Sequence, residues 1–127
     1  PNIDSGGNQD ILGTPHMTWN EAGDVGYVWF IGARLGKTGR NSGFQPIIFK
    51  TIDGGNSWTE MAGINFDDTV TFAPVLNYIL STNMTPTLTI PFFLSNEGID
   101  AVVDRNNRLH IVSTVVGTFS DHPDSLG

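Results

Sequence analysis

The stretch "FKTIDGGNSWTEM" (residues 49–61) carries the reading of this chain. A run of strand-forming residues breaks at Asp53-Gly54-Gly55-Asn56 and resumes at Ser57-Trp58. The Asp53 carboxylate can accept hydrogen bonds from backbone N–H groups a few residues on, closing the turn from within. Gly54 and Gly55 tolerate the positive φ that a tight hairpin demands. Thr51 and Ser57 set hydroxyls on either side of the bend. Trp58 is then expected to point back into the sheet stack, where an indole buries roughly 150–250 Å² and its truncation costs about 3–5 kcal/mol. The turn is scaffolding that aims a core anchor.

The flanking sequence fits a β-rich chain. "HMTW" (16–19), "YVWFIGA" (27–33), "QPIIFKTI" (45–52) and "SWTEM" (57–61) predict four strands of an antiparallel meander. The second and third are apolar on both faces, as in strands covered on both sides, and the fourth is polar enough for an edge. Residues 1–14 read as an arm or loop, and 34–43 as a flexible connection. Between 62 and 97 the pattern is irregular. "TVTF" (69–72) and "TLTIPFF" (87–93) look extended, with Pro86 and Pro91 suited to edges or bulges, and "VLNYIL" (75–80) fits a helical turn or a strand. Residues 98–117 read as strand, turn, strand, with Leu109, Ile111, Ser113 and Val115 on one face and His110, Val112, Thr114 and Val116 on the other.

Composition bounds the function. The chain has 127 residues and 39% hydrophobic content, one domain's length with enough apolar mass for a core. Six Lys plus Arg against thirteen Asp plus Glu give a net charge of −7, which disfavours nucleic acid as a partner. With no cysteine there is no disulfide or thiolate chemistry. No apolar run reaches the roughly 18 residues of a membrane span. The start at Pro1 and the end at "DSLG" read as a processed chain or a piece of a longer one.

Thr51-x-Asp53-x-Gly55-x-Ser57-Trp58 resembles the Asp-box, the S/T-x-D-x-G-x-[T/S]-W hairpin of sialidase-like (BNR-repeat) β-propellers, at every defined position. "DRNNRLHI" (104–111) looks like the first hairpin of another blade. The resemblance implies an all-β fold of antiparallel four-stranded blades. These form an incomplete propeller of about two to three blades, since each blade takes about 40–50 residues. Residues 15–61 make the Asp-box blade, 62–97 a connection with irregular strands, and 98–117 the opening hairpin of a further blade. In this family the Asp-box lies at the blade periphery, away from the ligand site.

Candidate chemistry is sparse. "GARLGKTGR" (32–40) has three residues between Gly32 and Gly36 where a phosphate loop needs four, and no helix can follow it. Its Arg34, Lys37 and Arg40 make a possible binding loop for an anionic glycan or protein patch, beside the plainer reading of a solvated connection. The sialidase family's early Arg-Ile-Pro is absent, since Ile90-Pro91 follows Thr89. Arg105 and Arg108 add no family pattern, and Glu21, Glu60 and Glu97 show no carboxylate partner at a readable spacing. His16, His110 and His122 lack metal-ligand spacing. "DRNN" and "DHPD" (121–124) offer only oxygen donors typical of Asx-turns. Trp19, Trp29, Phe30 and Phe44 could stack on sugars if exposed, though strand context favours the core.

The expectation is therefore a non-enzymatic scaffold and binding segment of an extracellular, cell-surface propeller protein of bacterial type, with no cofactor and no metal. Its partners are other blades or subunits and a possible glycan. Two alternatives stand beside it: a sialidase-like glycoside hydrolase whose catalytic residues lie elsewhere, and a small lectin that completes its ring by oligomerising.

Overall fold

A computed structural model describes residues 11–34, 36–82, 90–94 and 98–118. Strands β1 (Ile11–Trp19), β2 (Gly26–Gly32), β3 (Gln45–Thr51) and β4 (Thr59–Glu60) form one antiparallel sheet in chain order. After helix α1 (Ala73–Thr82), strand β5 (Ile90–Phe93) pairs with β8 (Val115–Thr118), and β6 (Asp100–Val103) pairs with β7 (Leu109–Val112), both antiparallel. The fold is predominantly β. Among the described residues the three sheets do not close into a ring.

Register sorts the first sheet into two faces. His16, Trp29 and Ile48 lie abreast, as do Thr18, Tyr27 and Lys50, on what we call the inner face. Met17, Val28 and Phe49 lie abreast on the outer face, with Phe30 opposite Ile47 and Trp19 opposite Gly26. The inner face builds the core. Trp29, Ile31 and Phe44 are buried there, and Ala101, Leu109 and Ile111 of the β6–β7 hairpin pack against them with Phe92 and Phe93. His16 stacks on Trp29 with ring centroids 4.3 Å apart, and Lys50 sits over the Tyr27 ring. A strand apolar on both faces thus finds one face covered within the chain.

Several expectations need correction. Residues 11–14 are not loop. They begin β1, and the register shifts between Leu12 and His16, so Pro15 sits where the ladder is interrupted and its missing N–H costs nothing. The remaining part of that expectation, residues 1–10, lies outside the described residues. Residues 69–72 are turns rather than a strand. Asp68 accepts Val70 N–H (3.2 Å), Thr71 N–H (3.1 Å) and the Thr71 hydroxyl (2.6 Å), taking donors that a ladder would have used. Residues 75–80 are helical, with Pro74 in the first turn, Leu76 and Ile79 buried at helical spacing, and Val75 and Tyr78 exposed.

The strand expected over residues 109–116 is two. Leu109–Val112 pairs with β6, and the chain then passes Ser113 and Thr114 and pairs with β5. The alternation expected for its first half holds, with Leu109 and Ile111 half-buried and His110 and Val112 exposed. Pro91 lies in β5, an edge strand, opposite Gly117. Residues 83–89, including Pro86, are outside the described residues.

Candidate functional site

At the bend between β3 and β4 the Asp53 carboxylate organises the loop. Oδ1 accepts the Thr51 hydroxyl (2.8 Å) and Ser57 N–H (2.9 Å), and Oδ2 accepts the Ser57 hydroxyl (2.6 Å). The Thr51 Oγ1 in turn accepts Gly55 N–H at 2.9 Å. These donors, the Ser57 hydroxyl foremost, hold the Asp53 carboxyl down at about 2. Gly54 and Gly55 carry φ of 70° and 94°, the left-handed values that glycine adopts freely.

Trp58 departs from expectation. It is 37% exposed and lies on the outer face, where its ring meets Trp19 edge-on at 5.9 Å and its Nε1 donates to Gly55 O at 3.1 Å. It precedes a two-residue edge strand, and among the described residues no second layer covers it. The buried core anchor is Trp29, with 1% exposure. Phe44 is buried as well, while Trp19 and Phe30 stay half-buried on the outer face.

Two further turns gather at the same end of the molecule. In the β1–β2 turn, Asn20 Oδ1 accepts Gly23 and Val25 N–H, and Asp24 O accepts Gly54 N–H from the neighbouring bend. Asp104 does the same service between β6 and β7: Oδ1 accepts Asn106 and Arg108 N–H, while Oδ2 meets Arg108 Nε (3.0 Å) and His110 Nε2 (2.9 Å). The His110 ring above all, then the Arg108 backbone, holds the Asp104 carboxyl well below the usual carboxylate range. Asn107, at φ 61°, links the two turns: its carbonyl accepts the Tyr27 hydroxyl (2.6 Å) and its Oδ1 accepts Asn20 Nδ2 (3.0 Å). Between the turns lies a polar cleft of about 390 Å³, with Glu21, Asp24 and Arg105 among its walls.

The β2–β3 connection leaves the opposite end of the sheet. It carries a short 3₁₀ turn, Gly39–Asn41. Arg34 is nearly buried, donating to Glu60 Oε1 (2.8 Å) and Met61 O (3.0 Å). Lys37 is exposed and Arg40 half-exposed, and among the described residues neither forms an ion pair. Of the three cations expected in a binding loop, Arg34 is thus held by the segment after β4, and Lys37 and Arg40 face outward without an ionic partner.

Sequence reasoning passed over the residues that fasten this loop. Asn41 Oδ1 accepts Phe66 N–H, its Nδ2 reaches Asn65 and Asp67, and Gln45 Oε1 accepts Ile64 N–H. Clamps between an amide side chain and a distant backbone have no spacing signature. The Asp104–His110 contact did have one, because an Asp opening a hairpin and a residue six further on meet across it. Among the described residues no three His, Asp or Glu side chains gather as a metal site. His122 and the 121–124 stretch fall outside them. Comparisons with protein-family models, curated proteins and solved structures give no match to this chain.

Proposed function

We propose that this chain is a scaffold and binding segment, without catalytic residues of its own, of an extracellular sialidase-like Asp-box β-propeller protein. The observation that carries the reading is the Asp53 network: one carboxylate closes the bend through Thr51 and Ser57 while Gly55 O takes the Trp58 indole N–H. The meander of β1 to β4, stacked face-on against the β6–β7 hairpin, supports it as the arrangement of one blade and the opening of the next. The blade count belongs to this proposal.

Such a protein binds through loops. The fitting one is residues 34–43, where Lys37 and Arg40 project from an acidic chain at the end away from the three tied turns. The ligand class is an anionic glycan or an acidic protein surface, held by screened Coulomb attraction. A glycan array probed with the chain is expected to pick out sulfated or carboxylated glycans. Raising salt, or the double substitution Lys37→Ala with Arg40→Ala, should abolish that binding, and a chromogenic sialoside should stay uncleaved. Binding indifferent to both cations, or turnover of the sialoside, overturns the reading.

A further inference from the structure

The two hairpins at the heart of the fold are repeats of one another. In β1–β2 the last ladder pair is Trp19 with Gly26, after which Asn20 N–H donates to Val25 O. In β6–β7 the last pair is Val103 with Leu109, after which Asp104 N–H donates to Arg108 O. Asn20 and Asp104 each cap two turn amides through one Oδ1. Gly23 and Asn107 each take the left-handed conformation. Superposing the two registers makes His16, Thr18, Tyr27 and Trp29 equivalent to Asp100, Val102, His110 and Val112. It likewise makes Met17, Trp19, Gly26 and Val28 equivalent to Ala101, Val103, Leu109 and Ile111.

The contact between the units follows the same order. The inner face of the first sheet (Trp29) packs on Ala101, Leu109 and Ile111, which correspond to the outer face of the first sheet. Inner face of one unit therefore meets outer face of the next, head to tail. Two faces are left over among the described residues. The hairpin's own inner-type face exposes Val102 at 61% and Val112 at 73%, beside the exposed Asp100 and His110. The first sheet's outer face exposes Met17 at 61% and leaves Val28, Phe30, Ile47 and Phe49 half-buried. Each is the counterpart of a surface already joined inside the molecule.

We infer that these two faces dock on each other between copies of this chain. The Val102–His110–Val112 face of one copy receives the Met17–Val28–Phe30–Phe49 face of the next. This deepens the propeller reading and rests on it for the idea of stacked units, while the residues themselves come from the internal repeat. The contact is heterologous: the two patches differ, so a copy joined at one face still offers the other, and growth continues until a ring closes.

The test is sedimentation velocity across a concentration series with the chain and two single variants, Met17→Lys and Val112→Lys. Both positions are exposed, so circular dichroism and melting temperature should match the wild type, and a variant that melts lower is replaced by Met17→Glu or Val102→Lys. The unsubstituted chain should show a mass that rises with concentration. Each variant alone should weaken association at least about tenfold, because a lysine would be desolvated in an apolar contact. Mixing the two variants should restore a 1:1 dimer and nothing larger, since one intact patch of each kind remains. A chain that stays monomeric at all concentrations overturns the inference, as do variants that associate normally or a mixture that fails to pair. Glycan binding by a monomer would leave the proposed function standing, and association without any ligand binding would do the reverse.

Discussion

Asp53 sets the acid sensitivity of the β3–β4 bend. Its folded value of about 2 lies below the ordinary 3.8. A depressed folded value means the ionised form stabilises the fold in full above the unfolded value, and the contribution is lost as pH falls from there through about 2. Asp53→Asn is expected to lower the urea midpoint at pH 7, with the two proteins converging towards pH 2. Unequal midpoints at the lowest pH would contradict this. Trp29 gives a second residue-level test. Its indole is buried and among the described residues its Nε1 has no hydrogen-bond partner, so its contribution is packing. Trp29→Ala should cost about 3–5 kcal/mol and Trp29→Phe distinctly less, whereas Trp58→Ala should cost roughly half as much as Trp29→Ala because over a third of the ring is exposed. Gly26 is fixed by its neighbour: a Cβ there would stand 2.5 Å from the Trp19 ring. Gly26→Ala should lose about 1–3 kcal/mol, and Trp19→Leu should relieve it in a double-mutant cycle read by urea denaturation.

The elements were legible in the sequence where one period ruled. The β2 and β3 runs and the 53–56 bend read correctly because continuous runs of β-branched and aromatic residues and the turn chemistry between them pointed the same way. Residues 69–72 misled because Thr-Val-Thr-Phe favours strand while Asp68, just before it, supplies a local alternative to the ladder. The break after Val112 was invisible, since a strand that changes partner keeps its alternation. Trp58 misled for a different reason. Turn chemistry aims the indole at the sheet, but which face of a sheet the rest of the chain covers is a long-range fact. At the site, the turn chemistry of Asp53 was legible; the Asn41, Gln45 and Asn107 clamps were not. Those clamps are testable. Tyr27→Phe removes the hydroxyl donated to Asn107 O and should cost about 0.5–1.5 kcal/mol by urea denaturation. Asn41→Ala should raise amide hydrogen exchange at Phe66 and leave Ser57 unchanged.

At the scale of the whole molecule, the two ends of the sheets are treated differently. One end carries three turns, closed by Asn20, Asp53 and Asp104 and cross-linked through Gly54 to Asp24 and through Asn107 to Tyr27 and Asn20. The other carries the longer connection between β2 and β3 and the segment that leaves β4 at Met61. The central stack has a direction as well, each unit offering one kind of face ahead and another behind, and among the described residues one of the two apolar faces of β2 is covered. With a net charge of −7, encounters between copies are repulsive at long range. Adding salt is therefore expected to favour self-association, while it weakens ligand capture by Lys37 and Arg40. Sedimentation and glycan binding measured over the same salt series should move in opposite senses.

The open space around Gly36 and Gly39 has a practical corollary. Among the described residues, chain neighbours apart, no heavy atom stands within 4 Å of where a Cβ would project at either position, although both hold positive φ. A guest peptide spliced between Lys37 and Thr38 would leave that end of the sheet on a short tether, meeting none of the polar links that bind the far rim. The chain is thus expected to tolerate novelty there because the loop's own ties, at Arg34 and Asn41, lie on either side of the splice.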